Sequence, residues 1–278
     1  MEDTFCSYSI LMMMGNKKLV IAGCGKLGNI VADAWCNGML PGYELIGAYS
    51  RSQEKAEILA CKVNEYGGYC TAVHTFQELL DLQPDILIEA ASPAAMKEWV
   101  MPTLRLGISI VTLSIGAFAN DSFYAETNRV ARECGVHVYV VSGATGGFDV
   151  LQTATLMGDA TANFFNEKGP DALRGTPVYD DALQSEQKTV FEGTAKEAIA
   201  MFPTKVNVTV AASRASVGPD KMRVKMVSTP GFKGDTQRVE IRNPQVHAVV
   251  DVYSATAEIA GWSVVNTLRN LSSPIVFV

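Results

Sequence analysis

One run limits what this chain can fold into more than any other: Lys18-Leu-Val-Ile-Ala-Gly-Cys-Gly-Lys-Leu-Gly28. Leu19, Val20 and Ile21 form a continuous apolar stretch, the pattern of a strand covered on both faces. The run then breaks into Gly23-x-Gly25-x-x-Gly28 and passes into helical spacing. Each glycine has its own expected job. Gly23 makes the tight turn, Gly25 lets a diphosphate approach the backbone, and Gly28 lets the helix pack close to the strand. Lys26 and Leu27 open that helix, whose free N–H groups and partial positive charge suit phosphate. A glycine-rich turn with no ligand needs similar residues, but the strand before it and the helix after it favour dinucleotide binding.

The rest of the first half repeats the rhythm. Strands are expected at Glu44–Tyr49, weakly at Tyr69–Val73, and at Asp85–Glu89, Ile108–Leu113 and Val136–Val141. Helices alternate with them. One is capped by Ser52, one runs from Thr75 to Leu80, one starts at Ser92-Pro93 and is interrupted at Pro102, and one spans Asp121–Cys134. Alternating strands and helices imply an α/β, Rossmann-type, doubly wound parallel sheet. From Ser142 the rhythm changes. Helices are expected at Phe148–Met157, at Thr194–Met201 ended by Pro203, and at Asn207–Ser216. Strands are expected at Thr161–Phe165, Met222–Val227, Gln237–Ile241 and Val246–Val252, with a polar loop over Glu167–Glu186. This is a second, α+β substrate domain with an open mixed sheet.

The expected organisation is an extension over 1–16, a dinucleotide-binding domain over 17–141 and a substrate and oligomerisation domain over 142–253. The last helix, in 254–278, packs back on the first domain. The extension contains Ile10-Leu-Met-Met-Met14, too short to span a bilayer, and begins with acidic Glu2 and Asp3 where a signal peptide needs basic residues.

Bulk properties exclude several functions. With 278 residues, 48% hydrophobic, 19% charged and a net charge of -6, the chain reads as a soluble globular protein with no basic footprint for nucleic acid or anionic membrane. Its six cysteines form no C-x-x-C pair and read as reduced cytoplasmic thiols, with no metal site expected.

The second strand ends in Tyr49-Ser50-Arg51-Ser52, without the Asp or Glu that holds an NAD ribose. Arg51 with the hydroxyls of Ser50 and Ser52 suits a 2′-phosphate instead, so NADP is favoured and NAD remains possible. Ala91 and Ser92, like Ser114-Ile115-Gly116, fall at carboxyl ends of strands, where such sheets bind ligands. His74, His137 and His247 are read as a loop residue, a strand-start residue and a half-buried sheet residue. No zinc-protease, nucleophile-elbow or P-loop motif is present.

Three further stretches carry a resemblance. Ser142-Gly-Ala-Thr-Gly-Gly-Phe-Asp149 resembles a G-A-I-G-x-x-D joint, and Val190-Phe-Glu-Gly-Thr-Ala-Lys-Glu-Ala198 an F-x-G-S-A-R-E-A stretch. Phe202-Pro-Thr-Lys-Val-Asn-Val208 with Ala211 resembles F-P-x-N-x-N-V-A-A. All three resemble the L-aspartate dehydrogenase family, from about Lys18 to the C-terminus. The resemblance implies a Rossmann domain with a substrate domain in a homo-oligomer, expected to be a dimer. It implies reversible, NAD(P)-dependent oxidative deamination of L-aspartate to iminoaspartate, which becomes oxaloacetate and ammonia, with Ala144 and Asn207 near the nicotinamide. It also implies a catalytic His within D-P-x-x-x-x-N-x-H-x-I/V, where this chain has Thr229-Pro-Gly-Phe-Lys-Gly-Asp-Thr-Gln237. Gln237 holds the His position and Asp235 the Asn position, and Gln cannot shuttle a proton at neutral pH. The basic R-K-P segment reads Glu167-Lys168-Gly169, and N-P-K-T-S becomes Tyr253-Ser-Ala-Thr-Ala257, losing a Lys. Three functions therefore stand open: an aspartate-type amino-acid dehydrogenase, a relative acting on a different, less acidic oxo acid or imine, and a catalytically silent NADP-binding protein.

Overall fold

The computed structural model describes residues 16–202 and 206–277. The expectations for the N-terminal extension and for Pro203 lie outside the described residues, apart from Asn16 itself.

The first half forms β1 (Lys17–Ala22), α1 (Lys26–Cys36), β2 (Tyr43–Tyr49), α2 (Gln53–Glu65), β3 (Thr71–Ala72), α3 (Phe76–Asp81), β4 (Ile86–Glu89), α4 (Pro93–Arg105), β5 (Ser109–Thr112), α5 (Asp121–Cys134) and β6 (Val138–Val140). The strands make one six-stranded sheet in the order β3-β2-β1-β4-β5-β6, the doubly wound order that reverses beside β1. β1 pairs in parallel with β2 and with β4. Leu19, Val20, Ile21 and Ala22 are all buried, as the unbroken apolar run requires.

The second half forms α6 (Phe148–Leu156), β7 (Thr161–Lys168), β8 (Lys188–Thr194), α7 (Ala195–Met201), α8 (Asn207–Arg214), β9 (Arg223–Ser228), β10 (Asp235–Arg242), β11 (His247–Ser254) and α9 (Glu258–Ser272). Its sheet has the order β11-β10-β7-β9-β8. β7 and β9 run parallel, whereas the β10–β11, β10–β7 and β8–β9 pairs are antiparallel, so the sheet is mixed.

Two compact units result. One holds 16–112, 126–139 and 264–277; the other holds 113–125 and 140–263. Within the first unit, the Tyr43 hydroxyl donates to the Leu268 carbonyl at 2.9 Å and the Arg269 guanidinium donates to the Met39 carbonyl at 3.2 Å, which ties α9 to the start of β2 and the loop before it.

Several elements depart from their expected form. α4 continues through Pro102 instead of being interrupted there. Proline removes one N–H, and the carbonyl it releases belongs to exposed Glu98, where water can satisfy it. The segment after Glu167 is less irregular than a loop, because β7 extends to Lys168 and two short 3-10 turns follow. β8 was not expected, since its alternation is weak in Lys188-Thr-Val-Phe-Glu-Gly-Thr194. His247 is exposed rather than half-buried, and its Nε2 lies 2.9 Å from Glu240 Oε1.

Candidate active site

The glycine loop separates into three physical cases. Gly23 has φ +113, and a Cβ there would lie 2.5 Å from the Ala90 carbonyl carbon. A Cβ at Gly28 would lie 2.1 Å from the Gly23 carbonyl oxygen. Both glycines are therefore required by the turn itself. Gly25 differs: nothing lies within 4 Å of a Cβ built there. It is exposed, as is Lys26 beside it. The turn thus presents open space at the one glycine it does not need for packing, which is where a diphosphate would approach. No side chain caps α1 at Gly25, and no acidic residue sits in its first turn. The helix terminus keeps its attraction for an anion.

Sequence reasoning missed the residues that hold this loop. Asn29 Nδ2 donates to the Cys24 carbonyl at 3.1 Å and to the Gly25 carbonyl at 3.0 Å. Lys62 Nζ in turn donates to Asn29 Oδ1 at 2.9 Å and pairs with Asp33 at 2.6 Å. Gly23 N–H donates to the Tyr49 carbonyl at 2.8 Å, and so does the Cys24 thiol at 3.4 Å. Burial pushes Cys24 up to about 11, so it is a packing group and not a nucleophile.

At the end of β2, Arg51 is exposed and Ser50 and Ser52 are half-buried. Ser52 is the N-cap of α2, as expected, but its side chain makes no capping bond. Two hydroxyls and one guanidinium therefore remain uncommitted at this corner. Behind them Tyr49 meets Phe76 and Trp99 edge-on, and Phe76 stacks on Trp99 with centroids 4.7 Å apart.

The end of β4 is organised by Glu89, which is fully buried. Its Oε1 accepts from the backbone N–H of Ala91 at 2.9 Å and of Ser92 at 3.1 Å; its Oε2 accepts from the Thr112 hydroxyl at 2.6 Å. Ser92 Oγ accepts from Ala95 N–H at 3.2 Å, capping α4. The backbone amides of Ala91 and Ser92 are thus already engaged. What this segment offers a ligand is small size and close approach. In the sequence Glu89 is only the last residue of a strand, because a carboxylate in that place gives no sign of which donors will surround it.

The other expected residues lie in the second unit. Asn207 is the first residue of α8, and its Oδ1 accepts from Gly116 N–H at 2.7 Å. That bond fixes the orientation of the amide, whose Nδ2 keeps two N–H donors. Ala144 is half-buried in the glycine-rich joint. Beside it Thr145 Oγ1 is buried without a hydrogen-bond partner, and Gly143 N–H donates to Ser263 Oγ at 3.1 Å. A Cβ on Gly147, at φ +66, would lie 2.5 Å from Val250 Cγ2. Gln237 is 6% exposed, and its Oε1 has no hydrogen-bond partner. The first unit thus collects Gly23, Gly25, Lys26, Leu27, Gly28, Ser50, Arg51, Ser52, Ala91 and Ser92, and the second collects Ala144, Asn207 and Gln237.

A Rossmann sheet with this loop and a second mixed sheet define the class: a two-unit, NAD(P)-dependent oxidoreductase. Residues 23–141 match the NAD-binding domain of homoserine dehydrogenase, and residues 149–271 match the C-terminal domain of aspartate dehydrogenase. Its second half is thus similar to the L-aspartate dehydrogenase family, and relatives of that name resemble it along nearly its whole length. The chain is 29% identical over 270 residues to an L-aspartate dehydrogenase of Methanosarcina acetivorans, and 27% identical over 269 residues to one of Methanococcus maripaludis. Each alignment covers 93% of this chain and 98% of the relative. Among solved structures, its fold is shared with an aspartate dehydrogenase from Thermotoga maritima, with a TM-score of 0.74 at 24% identity over 95% of this chain and all of that one. A hyperthermophilic archaeal homoserine dehydrogenase in complex with NADPH shares it with a TM-score of 0.62 at 15% identity, over 94% of this chain and all of that one. No described helix is long and apolar enough to cross a membrane.

Proposed function

We propose that this chain interconverts a small L-amino acid with its imino acid, and through hydrolysis with its 2-oxo acid and ammonia, using NADP in preference to NAD. The observation that carries the reading is the contrast within the glycine loop. Two glycines are required by packing, and the third faces open space at an uncapped helix terminus. When bound, the cofactor supplies the hydride acceptor or donor, and the protein's part is to position and to exclude competing reactions.

The backbone N–H groups of Gly25, Lys26, Leu27 and Gly28 would hold the diphosphate. Arg51, with the free hydroxyls of Ser50 and Ser52, would hold the 2′-phosphate, for which a guanidinium has the matching charge and geometry. Ala91, Ser92 and Ala144 would line the cofactor where only small side chains permit approach. Asn207 would donate its amide N–H to a carboxamide or carboxylate oxygen, its other end being fixed by Gly116. Gln237 takes the place of the proton-carrying His and has no titratable proton, so its role is to orient through hydrogen bonds. A homodimer working in the cytoplasm completes the reading, with L-aspartate, the substrate in the relatives' names, as the reference compound.

The test is a rate of NADPH oxidation that requires both a 2-oxo acid and ammonia. Oxidation indifferent to ammonia would replace the amino-acid reading by that of an oxo-acid reductase. Tight NADP(H) binding with no turnover on any oxo acid or imine would leave a silent nucleotide-binding protein.

A further inference from the structure

The inner face of the second sheet changes character along its length. At one end the cross-strand rungs are apolar: Ala162 with Ile241, then Phe164 with Val224 and Val239, all buried. The next rung sets Met226, Asn166 and Gln237 side by side across β9, β7 and β10. The last sets Ser228, Lys168 and Asp235 side by side. Residues two apart on a strand share a face, so these polar rungs continue the core face. Glu167 and Thr236, between them, alternate to the other side.

This polar end is unsatisfied and buried except at Asp235, whose side chain is half-exposed. Ser228 is 0% exposed and its Oγ has no partner; Gln237 Oε1 has none either. Lys168 is 9% exposed, and its Nζ lies 3.2 Å from Asp235 Oδ1. That ion pair is not aligned as a hydrogen bond, since Asp235 Oδ1 has no hydrogen-bond partner. Asn166 is committed, its Nδ2 donating to the Thr236 carbonyl at 3.0 Å. The loop 229–234 lies close by. A Cβ on Gly169 would sit 2.3 Å from the Phe232 carbonyl oxygen, and one on Gly234 2.3 Å from the Ser254 carbonyl oxygen. Thr229 Oγ1 donates to Glu167 Oε1 at 2.5 Å and accepts from Gln187 at 2.9 Å. Buried polar atoms left open in this way mark a place for water or a ligand.

We infer that the Ser228–Lys168–Asp235 rung, with Gln237, is the amino-acid subsite, and that Asp235 makes it select substrates with a single carboxylate. This rests on the amino-acid dehydrogenase reading above. The Lys168 ammonium supplies donors for one carboxylate, and Gln237 Oε1 supplies an acceptor for an amine or imine N–H. Asp235 neutralises Lys168, and Lys188, next across from Ser228, is exposed and faces Asp180 at 4.0 Å. A second carboxylate would meet the Asp235 carboxylate, whose partner Lys168 already serves the first. Ser228, with a hydroxyl that both donates and accepts, suits a neutral polar or short side chain.

The experiment compares L-alanine and L-2-aminobutyrate with L-aspartate and L-glutamate, in NADP-dependent deamination and in thermal melting of the full chain with NADP present. Expected is a kcat/KM at least about tenfold higher for the one-carboxylate pair, and a melting shift for that pair alone. Asp235→Asn should move the preference at least about tenfold towards aspartate, and Asp235→Ser should do the same if the first variant folds poorly. Lys168→Met should raise KM for all four while leaving NADPH binding unchanged. Turnover that favours aspartate in the wild type, or a preference that Asp235→Asn leaves within twofold, overturns the subsite and leaves the dehydrogenase reading intact. Selective melting shifts without any turnover would uphold the subsite and remove the dehydrogenase. Neither turnover nor shift removes both.

Discussion

At the residue scale the glycine loop gives the sharpest contrast. Gly25 has φ -79 and an open space where a Cβ would go. Gly25→Ala is therefore expected to leave stability within about 1 kcal/mol of the wild type, since alanine adopts that backbone without strain. NADP(H) binding should fall by about tenfold or more, because the added methyl occupies the approach to the backbone. Gly28→Ala should do the reverse in order of severity and destabilise the fold first, its Cβ meeting the Gly23 carbonyl. Chemical denaturation beside nucleotide titration separates the two. Arg51→Ala should weaken NADPH by about 10- to 100-fold, the loss of one or two charge-assisted bonds, and leave NADH nearly unchanged. Equal weakening of both would remove the 2′-phosphate assignment. Asn207→Asp keeps the acceptor for Gly116 N–H and loses the donor, so the expected outcome is a folded protein with a much reduced kcat/KM.

At the element scale, strand ends matter more than strand middles. β4 carries Glu89 at its carboxyl end, where one buried carboxylate accepts from Ala91, Ser92 and Thr112. Glu89→Ala would take the acceptor from two part-buried backbone donors and from the buried Thr112 hydroxyl, costing about 3 kcal/mol. Glu89→Gln should cost less, because one amide oxygen still accepts. Equal unfolding midpoints for wild type and Glu89→Ala would show that water replaces the carboxylate at no cost. α8 starts at Asn207, and through it holds the 3-10 turn 115–119 by way of Gly116. The strands of the Rossmann sheet were legible because a doubly covered strand must be an unbroken apolar run. β8 was not, since its half-exposed residues carry little periodicity. The passage of α4 through Pro102 was equally hidden, because it depends on which face of the helix meets water.

At the scale of the whole molecule, buried acids set the alkaline limit. Burial pushes Cys24 up to about 11, and Cys70 and Tyr43 each up to about 12. Their folded values lie above those of the unfolded chain. The stability they contribute is complete below pH 9 and is lost as pH rises towards 11 to 12, since the unfolded chain releases those protons first. Urea midpoints should fall steadily over that window, and Cys70→Ala should make the fall shallower. Midpoints that stay constant from pH 8 to about 10.5 would contradict it.

The order of apolar and polar residues alone determined the parallel sheet, the change to a mixed sheet after Ser142 and the position of the glycine turn between β1 and α1. These follow from local periodicity and from turns that only glycine can make. Tertiary structure alone decided which end of Asn207 is committed, that Glu89 holds the loop after β4, and that Ser228, Lys168 and Asp235 share a rung. Strand register brings together residues sixty or more positions apart, and no neighbouring residue in the chain carries that information.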